Sequence, residues 1–316
     1  MAGRLGTLGS GPEVQESVRR ALEGSGVDWR SRVWEAFLVL SLFISFFFLV
    51  WLIASQVIAS LPAWQARGVI DILASPTSSD PEKAGVGQGI LGSLIMMVVV
   101  SLLSLPIGVA GAIYLEEYAP DNLLSRTLNT VIRNLAGVPA VVYGILGLFF
   151  FVIVAAPLTG GRTVISGGLT LAVLVLPITI IVTAEALRAV PASIREAGFG
   201  VGATRWEVIR SHVLPYAAPG ILTGIILTLA RAFGETAPLL LVGAVAGSFA
   251  TASNVSILDQ LMGPYTSLPT LIYDWSRLPQ PAFRSLTAAA IVVLLVIIIM
   301  INAVAIYLRN RYARKW

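Results

Sequence analysis

Arg231 and Glu235 stand four positions apart in the string ARAFGETAPLLL (230–241), near the middle of an apolar run at about 217–245. On a helix that spacing places two side chains on one face, one turn apart. Insertion scales charge each such ion about 2.5–3.5 kcal/mol at the bilayer centre. Helix energetics do not offset that cost, because Arg before Glu is the less favoured order against the helix dipole. A guanidinium makes two parallel hydrogen bonds to one oxyanion. A carboxylate repels a dianion but accepts a hydrogen bond from a protonated oxyanion. The pair therefore reads as an anion contact or a gate in a polar path. An ion pair that fixes helix packing, within the chain or across a subunit interface, is the alternative. Gly234 beside the pair permits close approach of another backbone, and Pro238 is placed to bend the helix, so both are hinge candidates.

A second stretch with chemical character is the polar segment 191–215, PASIREAGFGVGATRWEVIRSHVLP. The spacing predicts a short helix from about Ala192, a glycine-permitted turn near Gly200–Gly202 and a second helix, which together make a compact knob. Arg195, Arg205 and Arg210 surround an apolar patch of Phe199, Val201 and Trp206, a combination suited to a cleft on a soluble partner. An amphipathic connector whose arginines meet lipid headgroups is the competing explanation. His212, the sole histidine, reads as a solvated or packed imidazole.

The elements that must carry these residues follow from composition. Of 316 residues 56% are hydrophobic and 12% charged, whereas soluble domains carry about a quarter charged residues. Several runs exceed the ~20 apolar residues needed to cross a bilayer. The expected architecture is all-α and polytopic, with six spans at about 35–59, 88–112, 135–156, 167–187, 217–245 and 286–308. Residues 1–34 are expected to form an Arg-bearing tail with a short amphipathic helix near Val14–Leu22, 35–310 the spanning domain, and 311–316 a basic tail. Six spans put both termini on one side. Placing them in the cytoplasm puts 15 of the 21 Lys and Arg there and satisfies the positive-inside rule, which the inverted arrangement contradicts.

Lesser features fit this frame. Arg133, at the cytoplasmic start of the third span, reads as a snorkelling side chain or as a residue lining the inner mouth of a path. Glu185 and Arg188 are spaced to pair along a helix end, and Glu116, Glu117 and Asp121 read as a solvated face. The loops 60–87 and 246–285 carry Trp64, Tyr265, Tyr273 and Trp275, candidate partner contacts or interface anchors. The absence of cysteine removes thiol chemistry and disulfides. A single histidine excludes a histidine metal cluster, and no cofactor is expected. Lysine occurs only at 83 and 315, neither within the Gly-rich Gly-Lys-Ser/Thr loop that cradles nucleotide phosphates, so an energy source must lie on another polypeptide. The basic residues flank apolar spans and mark topology, not nucleic-acid binding.

Segment 191–215 resembles the EAA loop of ABC importer permeases. Glu196, Ala197, Gly202, Leu214 and Pro215 match that pattern, with Gly198 at its second Ala and His212 at its Ile. The strings 134–144 (NLAGVPAVVYG), 168–190, 230–241 and 267–275 (SLPTLIYDW) extend the likeness, over roughly 88–310, to the PstA family of phosphate importer permeases. The resemblance implies a MetI-like, type I permease fold in the cytoplasmic membrane and no enzymatic activity of its own. It also implies a PstC-like partner permease, two PstB-like ATPase subunits and a PstS-like phosphate-binding protein. Arg231 and Glu235 are then the residues implicated in transport. Glu196, Ala197, Gly198, Gly202, Arg205, Trp206, Leu214 and Pro215 are then the ATPase-coupling segment. A permease for molybdate, sulfate or phosphonate shares the docking loop but does not predict the RAFGET string, and a self-contained carrier has no need of the knob.

Overall fold

The computed structural model describes residues 29–244 and 261–312. The chain divides into two compact units, Met1–Ser55 and Gln56–Trp316. The described part of the first unit is helical and apolar, and every residue in 29–54 is exposed. It belongs to helix α1, Trp29–Arg67, which begins ahead of the expected start of the first span. The tail before Trp29, including Val14–Leu22, lies outside the described residues.

In the second unit α2 (Val69–Ala74) leads to α3 (Gly87–Ile113), which ends in a widened turn at Tyr114–Tyr118. Next come α4 (Leu123–Ala136), α5 (Ala140–Gly147, extended by a widened turn Leu148–Val154), α6 (Ala156–Thr159) and α7 (Val164–Arg188). They are followed by α8 (Ala192–Gly200), α9 (Arg205–Val208) with the widened turn Ile209–Val213, α10 (Leu214–Phe233), α11 (Ala237–Val242), α12 (Leu268–Ser276) and α13 (Pro281–Tyr312). Among the described residues five helical stretches are long and apolar enough to cross a membrane, six where the bent pair α4–α5 is counted as one broken span. The fold is all-α and multi-pass.

Helix α7 is the hub: 61% of its most apolar stretch is buried, against 28% for α3 and 17% for α13. Small residues make this possible. Gly167, Gly168 and Ala172 of α7 are buried, and so is Gly108 of α3, where a Cβ would lie 2.6 Å from the Thr179 methyl. A Cβ on Gly224 of α10 would lie 2.7 Å from Val182. Backbones that approach this closely gain dispersion contacts, the main driving force between helices where lipid is as apolar as the side chains. Two buried hydroxyls of α7 are satisfied within the helix, as Thr170 and Thr179 donate to the Ser166 and Val175 carbonyls at 2.7 and 3.1 Å.

Two expectations from the sequence are corrected here. The third span does not begin near 135: α4 and α5 meet at an angle of 99°. Gly137–Val138–Pro139 makes the corner, because Pro139 keeps Val138 out of helical geometry. The Tyr143 hydroxyl braces it by donating to the Leu135 carbonyl at 2.9 Å. Leu124, Leu128, Val131 and Leu135 then form an apolar stripe along α4, opposite Arg126 and Arg133. Secondly, 246–285 is not simply a loop. Ser267 and Thr270 form a capping box that starts α12, and the Leu268 N–H donates to Ser93 of α3 at 2.8 Å. Tyr265 and Trp275 are buried in the core, where Trp275 lies 5.6 Å from the Phe283 ring. They are neither partner contacts nor interface anchors. Burial pushes the Tyr265 phenol well above its usual pKa. Trp64 is half-buried and donates to Ser60 at 2.9 Å; Tyr273 is exposed, with the Arg277 guanidinium 5.4 Å from its ring centre.

Gly144 tests the packing of α5 on α11, where a Cβ would lie 2.7 Å from the Pro238 Cα, a backbone atom that cannot yield. Gly144→Ala is expected to lower stability by about 1–3 kcal/mol, the usual cost of overpacking. Gly200→Ala, with open space around it, is expected to be neutral, both measured by unfolding in detergent.

Candidate functional site

Helix α10 runs without interruption from Leu214 to Phe233 and stops where Pro238 dictates. A proline at 238 within a continuing helix would lack its N–H and collide with the carbonyl of Gly234, four residues back. The chain instead tightens, with Gly234 N–H donating to the Arg231 carbonyl at 3.1 Å and Glu235 N–H to the Ala232 carbonyl at 3.2 Å. It restarts at Ala237, with Pro238 in the first turn of α11, a position that needs no N–H partner. Gly234 thus terminates a helix, and Pro238 starts one instead of bending a continuous span. The expectation of one unbroken span at 217–245 is corrected accordingly.

Arg231 and Glu235 meet across this break. Their Nε and Oε1 atoms are 3.6 Å apart, with side-chain exposures of 63% and 18%. Glu235 lies beyond the end of α10, so the two approach because the chain turns back, not because they share a regular helical face. The carboxylate is tucked in while the guanidinium projects from the surface of the unit. A charged group so placed on a membrane-spanning element needs a polar path or a second protein chain beside it.

At the other end of α10 the knob takes shape. Gly202 has φ of 83°, the left-handed region that glycine enters without steric cost, and so turns the chain between α8 and α9. Gly198 lets the two helices close, since a Cβ there would lie 2.7 Å from Val208. Thr204 and Glu207 form a capping box for α9. Phe199, Val201 and Trp206 are exposed, Val201 at 85%; Glu196, Ala197, Arg210 and His212 are exposed around them. Leu214 and Pro215 open α10 and are half-buried.

Two of the three arginines expected around that patch are engaged by the end of α3, Arg195 half-buried and Arg205 exposed. Arg195 donates to Glu117 at 2.6 Å and to the Leu187 and Val190 carbonyls at 3.0 and 2.9 Å. Arg205 lies over Tyr118, 5.6 Å from the ring centre. Arg188 makes a bidentate pair with Glu116 at 2.8 and 2.9 Å, not with Glu185 as helical spacing suggested. Glu116 and Glu117 are therefore not a solvated face. Asp121 is: it pairs with exposed Arg126, whose hydrogen bonds hold the Asp121 carboxyl below the usual carboxylate range. The partners of Glu116 and Glu117 lie more than 70 positions away in sequence. The one available signal was two adjacent carboxylates at the end of an apolar span with no cation one turn away.

Arg133 is exposed near the end of α4, on the face that also carries Arg126. It is therefore remote in sequence register from the apolar stripe of that helix. No group of three or more His, Asp or Glu residues that could hold a metal ion occurs among the described residues.

Comparison with known proteins places this architecture. A family model described as "Binding-protein-dependent transport system inner membrane component" matches residues 104–314. The probable ABC transporter permease protein YqgH of Bacillus subtilis is 40% identical over 164 residues, 51% of this chain and 52% of that protein. The match thus spans about half the length of that relative, and the same holds for YqgI of Bacillus subtilis. The phosphate transport system permease protein PstA of Xylella fastidiosa is 32% identical over 244 residues, 77% of this chain and 81% of that protein. Among solved structures, the inward-facing MetNI methionine ABC transporter superposes with a TM-score of 0.58 at 19% identity, covering 72% of this chain and 96% of that one, which shows the fold. A membrane unit with an exposed knob, a helix leading from it to a charged break, and these matches across two-thirds of its length belongs to the binding-protein-dependent transport system inner-membrane-component family, in its PstA branch.

Proposed function

We propose that this chain is the translocating subunit of an ATP-binding-cassette importer of inorganic phosphate in the cytoplasmic membrane. The observation that carries the reading is Arg231, an exposed guanidinium at the break of a membrane-spanning helix with Glu235 behind it. A tetrahedral oxyanion is the ligand that such a fork binds best. The naming of the Xylella relative as a phosphate permease supports phosphate over other oxyanions.

In this reading both termini are cytoplasmic, and a PstC-like permease covers the face that presents Arg231, so that the path runs between two chains. Phe199, Val201 and Trp206 seat in a cleft of a PstB-like ATPase subunit, with Glu196, Ala197, Gly198, Gly202, Arg205, Leu214 and Pro215 forming the rest of the coupling segment. A PstS-like binding protein delivers the anion from the opposite side. Closure of the ATPase dimer displaces the knob. Because α10 runs unbroken from Leu214 to Phe233, about 30 Å at 1.5 Å per residue, the displacement reaches Arg231 at its far end. The break at Gly234–Thr236 absorbs the change in angle, and rigid-body rearrangement switches the path from one side to the other. Arg231 neutralises the passing anion, while Glu235 holds the guanidinium or accepts a hydrogen bond from a protonated oxyanion.

The test is phosphate uptake by the reconstituted complex with ATP. Arg231→Ala is expected to lower uptake about 10–100-fold at equal membrane abundance, the worth of a charge-assisted hydrogen bond of ~1.5–3 kcal/mol. Glu235→Gln is expected to lower it less, since the guanidinium that meets the anion is retained with a polar neighbour. Wild-type uptake by both variants would falsify the reading. Unlabelled phosphate is expected to compete with labelled phosphate, whereas molybdate, sulfate and phosphonate are not. Competition by one of them at equal concentration reassigns the substrate.

A further inference from the structure

The widened turn Tyr114–Tyr118 at the end of α3 ends in three consecutive residues, Glu116, Glu117 and Tyr118. Each holds an arginine, one from the end of α7 and two from the polar segment that follows it. Glu116 accepts two hydrogen bonds from Arg188, in the last turn of α7. Glu117 accepts from Arg195 on α8, and that guanidinium spends its remaining N–H groups on the Leu187 and Val190 carbonyls. Tyr118 lies under Arg205, the first residue of α9. The middle contact is the most enclosed, with side-chain exposures of 24% for Arg195 and 8% for Glu117.

These contacts differ from surface ion pairs in what they do. A half-enclosed pair contributes little net stability, because desolvation offsets attraction, but removing one partner strands the other charge. Its geometry is also demanding: Arg195 has donors on both faces of its fork committed at once, to a carboxylate on one element and to two carbonyls at the end of another. Such an arrangement fixes the mutual orientation of α3, α7 and α8. A widened turn at this place fits the frequent use of such turns at functional positions. The covalent chain joins the knob to α10 through Ile209–Val213, and one buried apolar cluster gathers Val208 and Val213 with Ala217 and Ile221 of α10, Leu187 of α7 and Ala112 of α3. The Arg195 and Arg205 contacts add polar ties from it to α3, which the Arg188–Glu116 pair and the tight contact at Gly108 and Thr179 hold in turn to the hub α7.

We propose that Glu116, Glu117 and Tyr118 are positioning residues that clamp the coupling segment to the second span, so that displacement of 191–215 moves α3 and α7 together with α10. The clamp is a property of this chain. Only its role in transport rests on the functional reading above.

Spin labels placed at Ser193 on α8 of the knob and Leu102 on α3, both exposed, report the clamp directly in the full-length protein in lipid nanodiscs. The wild-type background is expected to give one narrow distance distribution that nucleotide leaves unchanged in the assembled complex. Glu117→Gln is expected to broaden it, and Glu117→Asp, which keeps the charge, to broaden it less. In the same complexes phosphate taken up per ATP hydrolysed is expected to fall about tenfold in Glu117→Gln and less in Glu117→Asp, within the range of coupling between contacting charged residues. Glu117→Asp also serves where the Gln variant fails to reach the membrane. An unchanged distribution in Glu117→Gln, or one as broad in Glu117→Asp as in Glu117→Gln, overturns the clamp. Wild-type complexes that take up no phosphate overturn the functional reading, while the label distances still decide the clamp.

Discussion

Close contact of α7 with its neighbours is the constraint on which the unit depends. Lipid tails solvate Leu and Val as well as another helix does, so apolar area alone does not hold spans together. What holds them is approach near enough for backbone-to-backbone dispersion, and this chain achieves it with Gly108, Gly168 and Gly224 against Thr179, Val99 and Val182. With α3 and α10 so placed on either side of α7, the positions of the charged break and of the knob follow.

Two kinds of polar chemistry are then set at opposite ends of α10. At one end Arg231 is exposed and its carboxylate neighbour recessed, an arrangement that leaves the guanidinium able to exchange partners. At the other, Arg188 and Arg195 are committed to Glu116 and Glu117 with multiple hydrogen bonds each. The contrast is physical: a 3.6 Å contact between Arg231 and Glu235 lies beyond hydrogen-bonding distance, whereas the contacts at the knob are short and partly desolvated. One arginine is exposed without a close hydrogen-bonded partner and the others are structural ties, although all lie in or beside the same stretch of chain.

Arginines near the knob also show how little residue type says about role. Arg195, Arg205 and Arg210 surround the same apolar patch in sequence, yet Arg195 turns inward, Arg205 stacks over Tyr118 and Arg210 is exposed. Phe199, Val201 and Trp206 remain as the apolar face available for a partner. The knob therefore presents less positive charge outward than its composition suggests.

The sequence by itself determined the membrane class and the knob. Apolar run length, the cost of charge in lipid and glycine-marked turns are local quantities, readable from neighbouring residues. It also placed Arg231 beside Glu235, although through a regular helix that Pro238 does not allow. The corner between α4 and α5 was half legible: Pro139 and the stripe Leu124, Leu128, Val131 and Leu135 were visible, but not that an amphipathic helix lay before the span. Only the tertiary structure decided the burial of Tyr265 and Trp275, the docking of α12 on Ser93, and the partners of Glu116 and Glu117. Those contacts join residues from about 70 to 175 positions apart, and spacing carries information about a partner only within a turn or two of the same helix.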